Sequence, residues 1–217
     1  MKIMHAAGLT ICTMGKKELC CGDPARRLGQ EELFQSLVEQ NIEKFRQYGI
    51  EKIVTFCPHC FNTLKNEYPH WEGGFEVVHS VTFLNELIRT GKIVLKYPLS
   101  LTTSYHDPCY LGRGNGIYES PRSVLKSVPG LRFKELPRIR ERAFCCGGGG
   151  GRMWMHDAIG TRINEVRSRE ILEEDVDVVS TACPYCTIML EDGIQGLEAE
   201  RNPQVLDIIE IVARSLV

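Results

Sequence analysis

The chain has 217 residues, 43% of them hydrophobic and 25% charged, a globular composition with enough apolar residues for one large domain or two small ones. Its formal net charge is −2, and Lys and Arg are scattered along the sequence, which argues against a nucleic-acid footprint. The longest apolar runs, such as Val205–Ala213 with Asp207 and Glu210 inside it, fall short of the ~18 residues a membrane-spanning helix needs. Met1–Leu9 is too short and too polar for a secretory signal, so the ten cysteines point to metal or redox chemistry in a cytoplasmic chain.

In chain order, Leu9-Thr10-Ile11-Cys12-Thr13 reads as a buried strand with Cys12 as a small core residue. Phe34, Leu37, Val38, Ile42 and Phe45 recur at helical spacing, and Gly49 supplies a stop. Ile50–Phe56 is an apolar run rich in β-branched residues, so it is expected to be a strand ending at Cys57. Gly91–Ser100, with Pro98 inside it, is the natural junction, which places a boundary near residue 98 between halves 1–98 and 99–217. Leu99–Tyr105 then opens the second half as a strand leading to Cys109. Ile159, Ile163 and Val166 mark a helix, and Val176–Thr181 is a strand delivering Cys183. This alternation predicts an α/β fold with parallel sheets, two Rossmann-like cysteine-rich half-domains related by a pseudo-twofold axis.

The halves repeat. Cys20-Cys21-Gly22 recurs as Cys145-Cys146-Gly147, an offset of 125 from residue 20 to residue 145. The Cys-Pro-x-Cys pair Cys57/Cys60 recurs as Cys183/Cys186, an offset of 126 from residue 57 to residue 183. Doublet and pair shift together to within one residue, as expected of a duplicated half-domain.

Thiolate is the ligand that holds iron–sulfur clusters, and strand ends in open α/β sheets are where ligand sites gather. The second half offers Cys109, Cys145, Cys146, Cys183 and Cys186 on three loops; the first offers Cys20, Cys21, Cys57 and Cys60. Adjacent cysteines suit a multinuclear cluster better than one zinc ion, because their side chains diverge. The run Gly147–Gly151 lets backbone approach a cluster and aim N–H groups at its sulfides, with Gly147, Gly148 and Arg152 as cofactor contacts. Two other readings stay open on spacing alone. Cys-Pro-His-Cys and Cys-Pro-Tyr-Cys between a strand and a helix also serve thiol–disulfide oxidoreductases, and a zinc-stabilised interaction module accounts for some of the thiols.

Cys-Cys-Gly-Asp-Pro-Ala-Arg-Arg (20–27), Cys-Pro-His-Cys-Phe-Asn-Thr-Leu (57–64), His-Asp-Pro-Cys-Tyr-Leu-Gly-Arg (106–113) and Cys-Cys-Gly-Gly-Gly-Gly-Gly-Arg-Met-Trp (145–154) carry a family resemblance. Both halves resemble the cysteine-rich CCG domain of the heterodisulfide reductase B-subunit family, over roughly Glu18 to Gly193, and most resemble the C-terminal part of iron–sulfur-binding oxidoreductases. The resemblance implies that five cysteines per half hold a cluster of the 4Fe–4S type, noncubane in some members, which relays electrons or cleaves a disulfide. It implies one complete site here, a second with fewer ligands, and an electron-transfer subunit or fragment of a larger oxidoreductase. The partners it implies are other redox subunits, whether a flavoprotein, a ferredoxin-type protein or a quinone-reducing membrane protein that holds this chain at the membrane. One departure stands out: Cys109 lies 36 positions before Cys145, and the matching place before Cys20 falls upstream of Met1.

Of the neighbouring residues, His59 reads as a polar turn residue that could tune a nearby cluster, and His106 and Asp107 as turn chemistry beside Pro108. Arg26, Arg27, Arg113 and Arg152 follow the cysteine motifs and are expected to offset cluster charge. Trp71 and Trp154 read as packing residues.

Overall fold

The structure is a computed structural model and describes residues 2–155, 160–197, 199 and 201–216. Ile159, assigned above to a helix, lies outside the described residues. In the first half, α1 (Lys2–Ala6), α2 (Asp23–Arg27) and α3 (Glu31–Gln47) precede β1 (Lys52–Thr55), α4 (Pro58–Asn62), β2 (Glu76–His79) and α5 (Ser80–Arg89). The second half follows with β3 (Thr102–Tyr105), α6 (Glu119–Lys126), β4 (Arg132–Phe133), α7 (Ile163–Leu172), β5 (Val178–Thr181), α8 (Pro184–Gly196), β6 (Gln204–Asp207) and α9 (Ile208–Leu216). The order strand, cysteine pair, helix, strand, helix occurs twice, as β1-α4-β2-α5 and as β5-α8-β6-α9.

Helix α3 forms where the apolar period placed it, burying Phe34, Val38, Ile42 and Phe45 on one face. It ends before Gly49, whose φ of +60° an L side chain rarely adopts. The chain is mixed α/β and both sheets are parallel, but they differ in width. The second-half sheet runs β4-β3-β5-β6, whereas β1 pairs with β2 alone. Strand β5 is therefore buried at every position, as a central parallel strand should be, while Lys52 and Val54 of β1 are exposed. Val178 and Val179 point to opposite faces of the wide sheet and enter separate cores. Val178 joins Tyr105, Leu206, Ile208 and Val212, and Val179 joins Leu136, Ile171, Leu190 and Val205.

The first of these cores also takes Val81, Leu84 and Leu87 of α5, so the two halves share apolar packing across residue 98.

One expectation fails at the N-terminal end. Residues 9–14 form no strand, and Cys12 is exposed instead of buried. Among the described residues no strand lies beside the run Leu9–Thr13 to satisfy its backbone, and Ile11 at its centre is 37% exposed.

Candidate metal centre

Each cysteine pair begins a helix. Cys57 lies two residues beyond β1 and caps α4, and Cys183 lies two residues beyond β5 and caps α8, each with Pro at the first helical position. Proline costs nothing there because that N–H has no helical partner, and the free N–H groups of the first turn favour negative sulfur. The doublets arrive on loops from the other side. Gly22 and Gly147 share a φ of +88°, and a Cβ on either would meet Phe34 at 2.7 Å or Ile163 at 3.1 Å. That turn bends the backbone onto the sulfurs: Gly22 N–H donates to Cys20 Sγ at 3.4 Å and Gly147 N–H to Cys145 Sγ at 3.3 Å. In the first half Asn41 donates to Cys20 O at 2.9 Å and the Tyr68 hydroxyl to Cys21 O at 3.1 Å, which fixes the doublet from beneath.

The thiols then join in the same order in both halves. Side-chain hydrogen bonds between free thiols link Cys20 to Cys21, Cys21 to Cys60, and Cys60 to Cys57. Correspondingly, Cys145 bonds Cys146, Cys146 meets Cys186 at an Sγ–Sγ distance of 3.3 Å, and Cys186 bonds Cys183. Cys109 extends the second chain by bonding Cys145. Nine of the ten cysteines are thus gathered into two sets, and Cys12 joins neither. Cys146, Cys183 and Cys186 are 4%, 1% and 2% exposed, so the second set is sealed from water on most sides.

Sulfurs this close do not all ionise together, because like charges in contact disfavour the charged form. Bonds from Cys20 and Cys60 lower Cys21 to about 4, and bonds from Cys109 and Cys146 lower Cys145 to about 2. Cys60 and Cys109 move up, each as the donor to a thiolate. Cys183 is lowered to about 5: burial opposes the thiolate, and bonds from Cys186 and His59 outweigh it. Metal ligands must be deprotonated, so a metal binding here would displace the protons that the raised thiols keep.

The sequence missed how the sets are held. Asp107, read as a turn residue, is 4% exposed and receives both NH1 and NH2 of Arg122, at 2.8 and 2.9 Å. Arg122 is 1% exposed, and the Asp107 carboxylate also accepts Arg140 N–H at 2.9 Å, so the segment leading to Cys109 is pinned from two sides. His106 is buried and accepts at Nδ1 from Arg167 Nε at 3.2 Å, which leaves its proton on Nε2. Burial and Arg167 lower His106 to about 3. Its ring lies with Cys146 and Cys186, ligand atoms within 4.8 Å of one another. His59 is buried too, with Nδ1 2.9 Å from Asp23 Oδ2, a bond to Cys183, and Tyr110 and Tyr185 against its ring. His59 is thus more than a polar turn residue, since it is 4% exposed and its ring is held by Asp23, Tyr110 and Tyr185.

Of the arginines that follow the cysteine motifs, Arg113 lies near enough to Cys109 for its charge to favour the thiolate. Arg26 and Arg27 both pair with Glu67, Arg27 also pairs with Asp23, and Arg113 donates to Ala143 O at 2.8 Å. Arg152 opens the turn Arg152–Trp154 that follows the glycine run. Of that run, Gly148 lies against Met189, Tyr185 and Cys146 Sγ, and Gly151 has no room for a Cβ because Leu28 of the first half is 2.5 Å away. Trp71 packs edge-on against Phe34 at 5.4 Å, as expected, but Trp154 is 58% exposed and only edges Tyr185.

A family model described as "Cysteine-rich domain" (CCG) matches residues 1–65 and 103–191, which hold all of the doublets and pairs. The chain belongs to the CCG cysteine-rich domain family. It is similar to a probable iron-sulfur-binding oxidoreductase, FadF, of Bacillus subtilis, with 44% identity over 99% of this chain and 30% of that one. It is similar also to an EtfAB:quinone oxidoreductase of Syntrophomonas wolfei, with 41% identity over 100% of this chain and 31% of that protein. A third relative, from the dihydromethanophenazine:CoB–CoM heterodisulfide reductase of Methanosarcina barkeri, is 36% identical over 99% of this chain and 54% of its own length. The chain spans about a third to a half of the length of these relatives and matches their C-terminal portion. Among the described residues no helix is long and apolar enough to cross a membrane.

Proposed function

We propose that the chain binds iron–sulfur clusters and passes electrons as part of a larger oxidoreductase. The observation that carries this reading is the repeated chain of thiol contacts, which gathers nine cysteines into two sets. The second set, Cys109, Cys145, Cys146, Cys183 and Cys186, is the complete site. The first, Cys20, Cys21, Cys57 and Cys60, is the smaller one, and the boundary between the halves lies near residue 98. A single zinc ion uses four ligands and leaves the fifth thiol of the second set unexplained. A thiol–disulfide enzyme uses one pair and leaves both doublets unexplained.

When bound, a cluster of the 4Fe–4S type supplies a one-electron carrier. The residues do the rest. Cys109, Cys145, Cys146, Cys183 and Cys186 would hold the cluster of the second half and Cys20, Cys21, Cys57 and Cys60 that of the first, and Gly22 and Gly147 donate N–H to Cys20 and Cys145. Gly148 N–H, which bonds Cys146, does the same, and Met189 and Tyr185 keep water from the second site. The electron donor and acceptor are other redox subunits, such as the flavoprotein, ferredoxin-type or quinone-reducing proteins with which such a carrier exchanges electrons.

The test is chain prepared without oxygen, with iron and acid-labile sulfide counted and visible and EPR spectra recorded. Brown protein whose colour bleaches in air supports the reading. A colourless, iron-free chain that reduces disulfides overturns it.

A further inference from the structure

His59 belongs to the first half by position, between Cys57 and Cys60, yet its ring lies among residues of the second half. Tyr110 stacks on it at 4.0 Å and Tyr185 leans on it at 4.4 Å. One ring nitrogen, Nδ1, is held by Asp23 Oδ2 at 2.9 Å, and the ring bonds Cys183, a sulfur of the second set. Asp23 is itself fixed, 2% exposed in the first turn of α2 and bonded to Arg27 Nε at 3.1 Å. With Tyr185 occupying the position equivalent to His59 and packing on that ring, the contact is built from both halves.

We propose that His59 is a positioning residue for the metal site of the second half, donating Nε2–H to Cys183 Sγ while Asp23 holds Nδ1. The inference rests on Cys183 being a cluster ligand. A metal-bound thiolate has no proton to give, so a bond between it and His59 takes its hydrogen from the imidazole. Nδ1 is held by Asp23, which leaves Nε2 as the ring nitrogen for Cys183. A hydrogen bond donated to a ligand sulfur withdraws charge from it and favours the reduced, more negative cluster. The first half thereby sets the potential of the second, through the chain Asp23–His59–Cys183.

The test uses the full chain loaded with iron and sulfide, the second-site signal being the one that Cys183→Ser removes. His59→Leu should keep its iron and shift the reduction equilibrium about tenfold toward the oxidised form, about 59 mV lower for one electron. His59→Gln, which keeps an N–H donor on a differently shaped side chain, should recover part of the shift. Asp23→Asn should move the potential in the same direction and add little on top of His59→Leu, since the two act on one bond. The shift should persist with Cys21 and Cys57 both replaced by Ser, which removes any route through the first site. If His59→Leu fails to hold iron, His59→Gln against Asp23→Asn carries the comparison. Potentials unmoved in loaded variants, or Gln no different from Leu, overturn the inference. Iron-free wild-type chain overturns the cluster reading beneath it instead.

Discussion

Replacing Arg122 by Met removes a buried cation and leaves its anion behind. Asp107 is 4% exposed, and without Arg122 its carboxylate keeps only the Arg140 N–H at 2.9 Å. Removing one partner of a buried pair costs about 3–5 kcal/mol, because the remaining charge stays desolvated. Glu135, the other carboxylate on Arg122, has a side chain 35% exposed and rehydrates at little cost, so it adds less than about 1 kcal/mol. For a chain of this size each kcal/mol lowers the melting temperature by roughly 2–4 °C, so Arg122→Met should melt about 10 °C lower. Urea unfolding of the chain, followed by circular dichroism, gives the free energy directly. Adding Asp107→Asn should restore much of the loss, since the stranded charge disappears. Because Cys109 is two residues beyond Asp107, iron content should fall in the single variant and recover in part in the double. A loss below about 1 kcal/mol, or a double variant that loses the sum of the two single changes, refutes the reasoning.

Other variants separate ligands from bystanders. Cys146→Ser and Cys183→Ser should each remove most of the second-site iron, because a hydroxyl is a poor ligand for iron, while Cys12→Ser should leave iron per chain unchanged. Equal loss from Cys12→Ser would make Cys12 a ligand. Gly147→Ala forces a Cβ at φ +88° against Ile163 and should cost about 1–3 kcal/mol by denaturant unfolding, with cluster loading impaired; a neutral result would mean the turn relaxes freely. Asp207 is raised to about 7, chiefly by burial, so the unfolded chain ionises it first and stability falls as pH rises from about 4 to 7. Asp207→Asn keeps an oxygen for the Ile209 N–H at 2.8 Å and should flatten that fall, by about 2–4 kcal/mol at pH 8; an unchanged pH profile would show that Asp207 does not titrate there.

The helix α3, the strands that deliver both pairs and the glycine turns were legible because each rests on a local cause. Apolar residues at helical spacing, β-branched runs before the cysteines and a glycine after each doublet dictate their own backbone. Cys12 shows where that fails: an alternating apolar stretch is a strand only if a neighbour accepts its hydrogen bonds, and among the described residues none lies beside residues 9–14. Asp107 and Arg122, or His106 and Arg167, sit 15 and 61 positions apart, and nothing in the sequence matches one to the other. His59 was assigned to the half in which it is written. Only the packing of the halves shows its ring bonded to Cys183 of the other.

The two halves share their thiol order but not their support. In the second half β3 pairs with β5 through Thr103, Ser104 and Tyr105, and the residues after β3 bring Cys109 to Cys145. Strand β1 corresponds to β5, yet on the side where β3 would lie it is unpaired among the described residues. Val54 and Phe56 there are 36% and 59% exposed, whereas Ser180 and Ala182, at the equivalent positions, are 0% and 2% exposed. The two differences lie on the same side of the strand, because in the second half the strand there, β3, leads to Cys109. An edge strand with two apolar side chains in water is a poor end point for a parallel sheet. The first set therefore rests on two loops and the second on three, and iron should be held less firmly in the first.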